Sequence, residues 1–254
     1  MIKINKGAAP PALVKANTRH NASNAIKYLA NKANYDNGNE AFTFTAAYHS
    51  NAVKLALNAA QFGKCAFCEA KFVNDDAHVE HFRPKGKVDQ YPSGPSSYPG
   101  YYWLAYEWSN LLLCKSTTNS SIKRNFFPLR GRVTRNLNHL GTNIESSLLI
   151  DPAAEDPRDH IRFYGEEIKG ITARGRRNIS FFDLRNAQID ESRRKHYRAL
   201  KAIKVGVDAL LATGSTVNDP DVAEMIAILK ESVLPSAQFS SMAIDLLQGW
   251  PHMV

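Results

Sequence analysis

The chain has 254 residues, of which 44% are apolar, and this is enough for a substantial core in one large domain or two smaller ones. No apolar run approaches the roughly 18 residues of a membrane span, and the first residues lack the apolar core of a signal peptide, so we expect a cytoplasmic protein with no membrane partner. Three cysteines, an odd number with one close pair, argue against a disulfide framework. The net charge of +8 favours polyanions such as nucleic acid as partners.

The N-terminal quarter is predicted to be helical after an irregular start. Glycine and proline interrupt residues 1–16, which show no periodicity, so we expect an arm or an irregular segment packed on the domain. Helices are predicted over 18–35 and 41–62, the second because its apolar residues recur at helical spacing. No function is assigned to this region.

The next segment begins with a Cys-x-x-Cys pair. Cys65 and Cys68 could converge on one metal ion or pack as small apolar side chains, and packing is favoured because no second pair follows in register. Residues 78–83 alternate in polarity, which predicts a short strand, and Pro84 discourages its continuation. Serine, proline and glycine over 92–100 predict a surface loop.

Aromatic residues are dense over 101–113. They could stack on bases, but the interpretation we favour is a buried core. Asn110 opens an apolar run that returns the chain towards the preceding strand.

A short helix is predicted over 116–124, with Ser116 or Thr117 as its N-cap. Asn119 and Lys123 are four residues apart and would share one face. The stretch 108–144 has no acidic residue and six basic ones, which are Lys115, Lys123, Arg124, Arg130, Arg132 and Arg135. Their position favours nucleic-acid contact over a merely solvated basic face.

Short strands are predicted at 148–150 and 161–164. The acidic loop between them, 151–159, has no paired histidine motif, so we expect a solvated loop rather than a metal site.

The region after Gly170 is predicted to be helical. Its candidate helices cover 173–184, 186–213, 219–233 and 236–248. An apolar stripe consists of Leu200, Ile203, Val207, Leu210 and Leu211, and basic residues including Arg193 are expected on the outer side. We interpret this region as a subdomain for support or partner docking, and we expect truncation near Gly170 to prevent complex formation before it disturbs the central motifs.

The central motifs keep the order of a one-metal nuclease centre. They are Cys65-Ala-Phe-Cys68, Glu80-His81-Phe82-Arg83-Pro84-Lys85, Asn110-Leu-Leu-Leu113, Asn119, Lys123 and Phe127-Pro-Leu129. This set resembles the His-Asn-His (HNH, ββα-metal) nucleases, with Asn119 in the place of the second His. It is similar to the HNH nuclease subunit of Septu-type anti-phage systems, including retron-associated ones. Lys6-Gly7-Ala-Ala-Pro10-Pro11 and motifs over 149–163 extend the resemblance to roughly residues 1–185.

The resemblance implies an α+β, mostly helical protein with a small ββα-metal nuclease core at 65–135. An N-terminal arm and helices would occupy 1–64, and short strands and a helical subdomain would occupy 136–254.

The resemblance also implies roles for the motif residues. His81 would be the general base, since a neutral imidazole with a pKa near about 6.5 can take a proton from water at cellular pH. Asn110 would hydrogen-bond across the loop between the strands and hold His81 in register. Glu80 and Asn119 would give oxygen ligands to Mg²⁺ or Mn²⁺. The residues expected to contact nucleic acid are Arg83, Lys85, Lys123 and Arg124.

Other histidines are left outside this site. His78 would lie on the opposite strand face from His81, as a second ligand or a surface residue. Three more show no ligand-like spacing and are interpreted as structural, namely His139, His160 and His196.

Relatives in this family usually carry a second Cys-x-x-Cys, and its positions here hold Lys115 and Thr118. Cys114 is one residue out of register, so we expect little or no zinc, because a structural site needs four Cys or His ligands. The implied partners are nucleic acid, either DNA or RNA, and an ABC/AAA-like ATPase, with a reverse transcriptase and its RNA–DNA product in retron systems. The alternative is a non-catalytic nucleic-acid-binding or scaffold subunit.

Overall fold

The computed structural model describes residues 1–73, 76–90, 93–130 and 134–253 and shows the expected α+β, mostly helical protein. The helices are α1 (Pro11–Ala30), α2 (Lys32–Asp36), α3 (Asn51–Ala60), α4 (Ala173–Phe181), α5 (Ala187–Ala212), α6 (Pro220–Ser232) and α7 (Ser240–Leu247). The strands are β1 (Ala77–His81), β2 (Leu111–Lys115), β3 (Ile161–Tyr164) and β4 (Glu167–Gly170), in two antiparallel pairs. Within the described part of the chain, no helix is both long and apolar enough to cross a membrane.

The N-terminal helices begin earlier and break differently than predicted. The expected irregular segment packed on the domain is confirmed for residues 1–10, of which Met1 and Ile4 are buried, but it is wrong for residues 11–16, because α1 starts at Pro11. Proline is compatible with a first helical turn, where its missing N–H would have no intrahelical partner. The single helix expected over 41–62 is instead a 3₁₀ turn, Ala46–His49, followed by α3.

The pair β1–β2 lies at the centre of the fold. Its register places His81 opposite Leu111 and Val79 opposite Leu113. The N-terminal helices cover one face of the pair, where a shared cluster of buried residues contains Leu13, Val53, Leu57, Val79, Leu111 and Leu113. The elements before residue 64 therefore form part of the packing around the central strands.

The Cys-x-x-Cys segment and the C-terminal helices meet on the other side of this pair. The ring of Phe67 stacks on Phe182, with centroids 4.1 Å apart. The buried Glu69 carboxylate accepts hydrogen bonds from Ser240 and Ser241 at the start of α7. Residues after Gly170 therefore complete the same core as the central motifs, and the expected effect of their removal stays a prediction.

The predicted strand at 148–150 is not observed, and Ser147 makes only an isolated bridge with Leu129. The strand at 161–164 is confirmed as β3, and its partner β4 was not predicted from the sequence. The adjoining acidic loop is more ordered than predicted. Its Glu155 carboxylate lies 2.6 Å from the Arg174 guanidinium and 3.1 Å from the His160 imidazole.

The four C-terminal helices are confirmed, with ends that differ from the predicted ones by a few residues. Leu200 and Val207 of the predicted stripe are buried, whereas Leu210 is 37% exposed. The expectation that Arg193 lies on a basic outer side is wrong, since it is 1% exposed. Its guanidinium donates to Asp190 Oδ1 at 2.7 Å and to Leu184 O at 3.0 Å, which compensates in part for the loss of water.

We predict that Leu229→Ala in α6 lowers the free energy of unfolding by about 2–5 kcal/mol, because Leu229 is 0% exposed in the cluster shared by α5, α6 and α7. Ile228→Ala is the matched control on the same helix, since Ile228 is 41% exposed, and its loss should stay below about 1 kcal/mol. Urea unfolding measures both. Equal losses at the two positions would contradict the packing described.

Candidate active site

An open pocket of about 330 Å³ lies beside β1. Its walls come from the segment around the 3₁₀ turn, from β1 and the residues after it, and from the turn that follows β2. The lining residues are Phe44, Tyr48, Val79, Glu80, His81, Pro84, Lys85, Gly86, Asn119, Arg124 and Asn125. Five residues predicted for the site are thus brought together, and they are Glu80, His81, Lys85, Asn119 and Arg124.

Glu80 lies at the buried side of this pocket and pairs with Lys123. The Lys123 Nζ is 3.3 Å from Glu80 Oε1 and 3.4 Å from His81 O, and its side chain is 0% exposed. Burial raises the pKa of Glu80 to about 7 despite the nearby Lys123 ammonium, and burial also lowers the pKa of Lys123. The expectation that Lys123 contacts phosphate is not met in this structure, because its ammonium is enclosed with the carboxylate.

His81 is held in one tautomer by a backbone carbonyl. Its Nε2 lies 2.9 Å from Ala105 O, and since a carbonyl only accepts, Nε2 carries the proton and Nδ1 the lone pair. Nδ1 is 3.5 Å from Lys85 Nζ, and the Tyr48 ring packs edge-on against the imidazole at 4.6 Å. Burial, followed by repulsion from Lys85, lowers the pKa of His81 to about 3. The sequence-based expectation that His81 has a pKa of about 6.5 is therefore wrong for the buried imidazole.

Asn110 makes the hydrogen bonds across the strand connection that the resemblance implies. Its Oδ1 accepts from Arg83 N at 2.7 Å, and its Nδ2 donates to Arg83 O at 2.9 Å and to Leu104 O at 3.1 Å. Phe82 N also donates to Asn110 O at 2.9 Å. The backbone that directly follows His81 is thereby fixed to the start of β2.

Asn119 lies on a π-helical turn, Thr118–Lys123, where an α-helix was predicted. The Arg124 N–H bonds to Asn119 O, five residues back. Thr117, one of the two predicted N-cap residues, precedes the turn, but its side chain makes no capping hydrogen bond. The turn places Asn119 and Lys123 against β1, with Asn119 Nδ2 donating to Val79 O at 3.1 Å and Lys123 Nζ lying 3.4 Å from His81 O. π-Helical turns recur at functional sites.

The donor chemistry around Glu80 and Asn119 suits a hard divalent cation. A carboxylate and an amide oxygen are ligands that Mg²⁺ accepts, and this ion takes its remaining ligands from water and phosphate. The described residues contain no group of three or more His, Cys, Asp or Glu side chains that could hold a metal ion. Binding of Mg²⁺ or Mn²⁺ by Glu80 and Asn119 stays a prediction.

The basic residues predicted to contact nucleic acid separate into two groups. Lys85 and the exposed Arg124 line the pocket. Arg83 lies outside it, with Nε 3.4 Å from Glu145 Oε2 and its guanidinium over the Phe127 ring, so the predicted phosphate contact of Arg83 is not supported. Arg132 of the basic stretch and Pro92 of the predicted loop lie outside the described residues.

The three cysteine thiols lie in the core. Cys65, Cys68 and Cys114 are free and buried, and the Cys65 N–H bonds to Ala70 O at 2.9 Å. Their burial agrees with the packing role favoured from the sequence, but the choice between packing and metal binding, like the expected lack of zinc, stays a prediction.

Three contributors to the pocket were missed from the sequence. Phe44 and Tyr48 belong to the segment predicted as a plain helix, and Ala105 acts through its backbone oxygen. For Phe44 and Tyr48, the available sequence signal was the four-residue spacing of their aromatic rings. Nothing in the sequence indicates a carbonyl partner such as Ala105 O.

Comparison with known proteins finds one relative of known family. "Septu protein PtuB" from Bacillus mycoides (strain KBAB4) is 32% identical over 213 residues, which cover 82% of this chain and 70% of that protein. No protein-family model matches the chain, and no solved structure matches it.

We predict that His81 in the metal-free protein stays neutral until the pH falls below about 4, whereas an exposed imidazole titrates near about 6.5. NMR titration of the imidazole Cε1 signals measures this, with His81→Gln for assignment. Because the folded pKa of about 3 lies below the unfolded value, this residue's stabilising contribution is complete above the unfolded pKa and is lost as pH falls towards 3. A midpoint between pH 6 and 7 would contradict the burial described.

Proposed function

Since the chain belongs to the Septu PtuB family, we propose that it is the HNH nuclease of a Septu anti-phage system and hydrolyses phosphodiester bonds. The observation that carries this proposal is the convergence of Glu80, His81 and Asn119 on one pocket that Lys85 and Arg124 also line. The order of β1, β2 and a helical turn, each carrying motif residues, supports a ββα-metal arrangement.

In this proposal His81 accepts the proton of the attacking water at Nδ1, while its Nε2–H remains bonded to Ala105 O. The substrate phosphate lies against Lys85 and Arg124. An anion beside Lys85 offsets the repulsion that lowers the pKa of His81, so substrate binding makes the imidazole a stronger base. Mg²⁺ or Mn²⁺, when bound by Glu80 and Asn119, supplies stabilisation of negative charge at the phosphate and the departing oxygen.

The substrate we favour is DNA, with RNA such as tRNA as the second possibility. The residues that line the pocket give cationic and aromatic contacts, and these act on phosphates and bases common to both nucleic acids. Assays on both substrates, with Mg²⁺ and ATP varied, separate the two.

We further propose that an ABC/AAA-like ATPase subunit of the Septu system controls the nuclease, with a retron reverse transcriptase and its RNA–DNA product as additional partners in retron-associated systems. Two features of the resting site support control by a partner. The Glu80 carboxylate is paired with Lys123 rather than open, and the pKa of His81 is far below the working pH of a base. Both features fit a site that is quiet until a partner or substrate rearranges it.

The same two features favour a second candidate, a non-catalytic nucleic-acid-binding or scaffold subunit. Such a subunit would use Lys85 and Arg124 to hold nucleic acid without cutting it. The convergence of the three polar site residues argues for the nuclease, because a scaffold needs no carboxylate, imidazole and amide around one point.

We predict that His81→Ala lowers cleavage by the assembled complex by about 10²–10⁴-fold, since the water loses its base. His78→Ala is the matched control, because His78 is an exposed residue of the same strand, and it should leave the rate unchanged. Cleavage is measured as single-turnover rates on labelled DNA and RNA. Wild-type rates from His81→Ala would refute the proposed base.

We predict that Asn119→Ala weakens metal binding and raises the Mn²⁺ concentration needed for half-maximal cleavage by about tenfold, because one of two protein ligands is lost. Titration calorimetry with Mn²⁺ gives a readout that does not depend on activity. Ser120→Ala on the same turn is the control, since the Ser120 hydroxyl is exposed and bonds to Ser116 O. An unchanged Mn²⁺ affinity in Asn119→Ala would exclude Asn119 as a ligand.

A further inference from the structure

We propose that Lys6, in the segment before α1, is a positioning residue for the pocket. Its ammonium holds the backbone around Asn110 and, through Asn110, the backbone that follows His81. The inference rests on the proposed function where it concerns catalysis, but its structural part stands on contacts of the described residues alone.

The Lys6 ammonium is bound by three backbone carbonyls. Its Nζ donates to Trp108 O at 2.6 Å, to Ser109 O at 2.9 Å and to Leu111 O at 3.0 Å. A lysine ammonium has three N–H donors, so these bonds use all of them. The ammonium also lies 5.5 Å from the centre of the Trp108 ring.

The three acceptors lie on both sides of Asn110. They include the two residues before it and the first residue of β2 after it, so one cation fixes the turn by which the chain enters β2. Lys6 is half-buried, and an ammonium that has lost part of its water is costly unless it is paired. The nearest carboxylates, Asp151 and Glu107, stabilise the ammonium at longer range and are not its hydrogen-bond partners. The carbonyls of the turn are therefore its main partners.

Asn110 carries this restraint to the site. Its side chain bonds to both the N–H and the C=O of Arg83, and its C=O accepts from the Phe82 N–H. These are the two residues after His81. Two successive sets of hydrogen bonds thus connect Lys6 with the segment that aims the imidazole.

The segment that carries Lys6 is itself anchored on both sides. Ile4 N donates to Pro152 O at 2.7 Å, and the Gly7 carbonyl accepts from the Trp108 indole at 3.1 Å. Leu13, at the start of α1, is buried beside β1 and β2. The lysine is therefore presented from a fixed backbone, as a positioning residue requires.

The test compares Lys6→Met with Lys3→Met by amide hydrogen exchange in the full chain. Methionine keeps an unbranched side chain and removes the donors, and Lys3 is an exposed residue of the same segment with the same charge change. We expect Lys6→Met to speed exchange of the Phe82 and Arg83 amides at least about tenfold, a loss of about 1.4 kcal/mol of local stability. The Phe163 amide in β3, bonded to Asp245, serves as the distant reference and should not change.

Three results would overturn the inference. They are unchanged exchange at Phe82 and Arg83, an equal acceleration at Phe163, which indicates general destabilisation, and the same local effect in Lys3→Met. In cleavage assays of the complex, Lys6→Met should lower kcat and leave KM unchanged, because Lys6 does not line the pocket. If the wild-type complex cleaves neither DNA nor RNA, the proposed nuclease function fails, and the exchange measurement alone decides whether Lys6 holds this segment.

Discussion

The structure around the pocket depends on the hydrogen bonds between the Asn110 side chain and the backbone of Arg83. β1 and β2 are joined by the long connection of residues 82–110, and a connection of this length does little to keep two short strands in register. The Asn110 side chain ties the end of this connection to its start. Its amide oxygen accepts from the Arg83 N–H, and its amide nitrogen donates to the Arg83 C=O. His81 directly precedes the bonded segment, so its position follows from this closure.

The pocket is also shaped by charges that have been taken out of water. The Glu80–Lys123 pair is enclosed, and its net contribution to stability is small because desolvation of both ions offsets most of their attraction. What such a pair determines is geometry, since neither group can leave without exposing the other as an unpaired buried charge. It therefore holds the turn after β2, which carries Asn119, against β1.

The central strands are too few to form a core by themselves. Two strands of five residues bury little surface, and a two-stranded sheet is marginally stable in water. The N-terminal helices cover one side through Leu13, Val53 and Leu57, and the C-terminal region covers the other through Phe182 and α7. The N-terminal region also reaches the site, because the segment around the first 3₁₀ turn supplies Tyr48 and Phe44 to the pocket wall. The division into three domains at residues 64 and 135 stays a prediction.

The sequence by itself determined the helical C-terminal region and the strands β1 and β3. It also indicated pocket residues that stand next to each other in one motif, such as Glu80 and His81. These depend on local periodicity and on residue chemistry, which a sequence displays directly. Only the tertiary structure decided which charges are enclosed. Nothing in the sequence distinguishes Lys123, Arg193 and Lys6 from other basic residues. Whether a long cationic side chain reaches water or an acceptor inside the protein depends on its surroundings in the folded chain. The same reason separates Lys85, which faces the pocket, from Arg83, which pairs with Glu145 outside it.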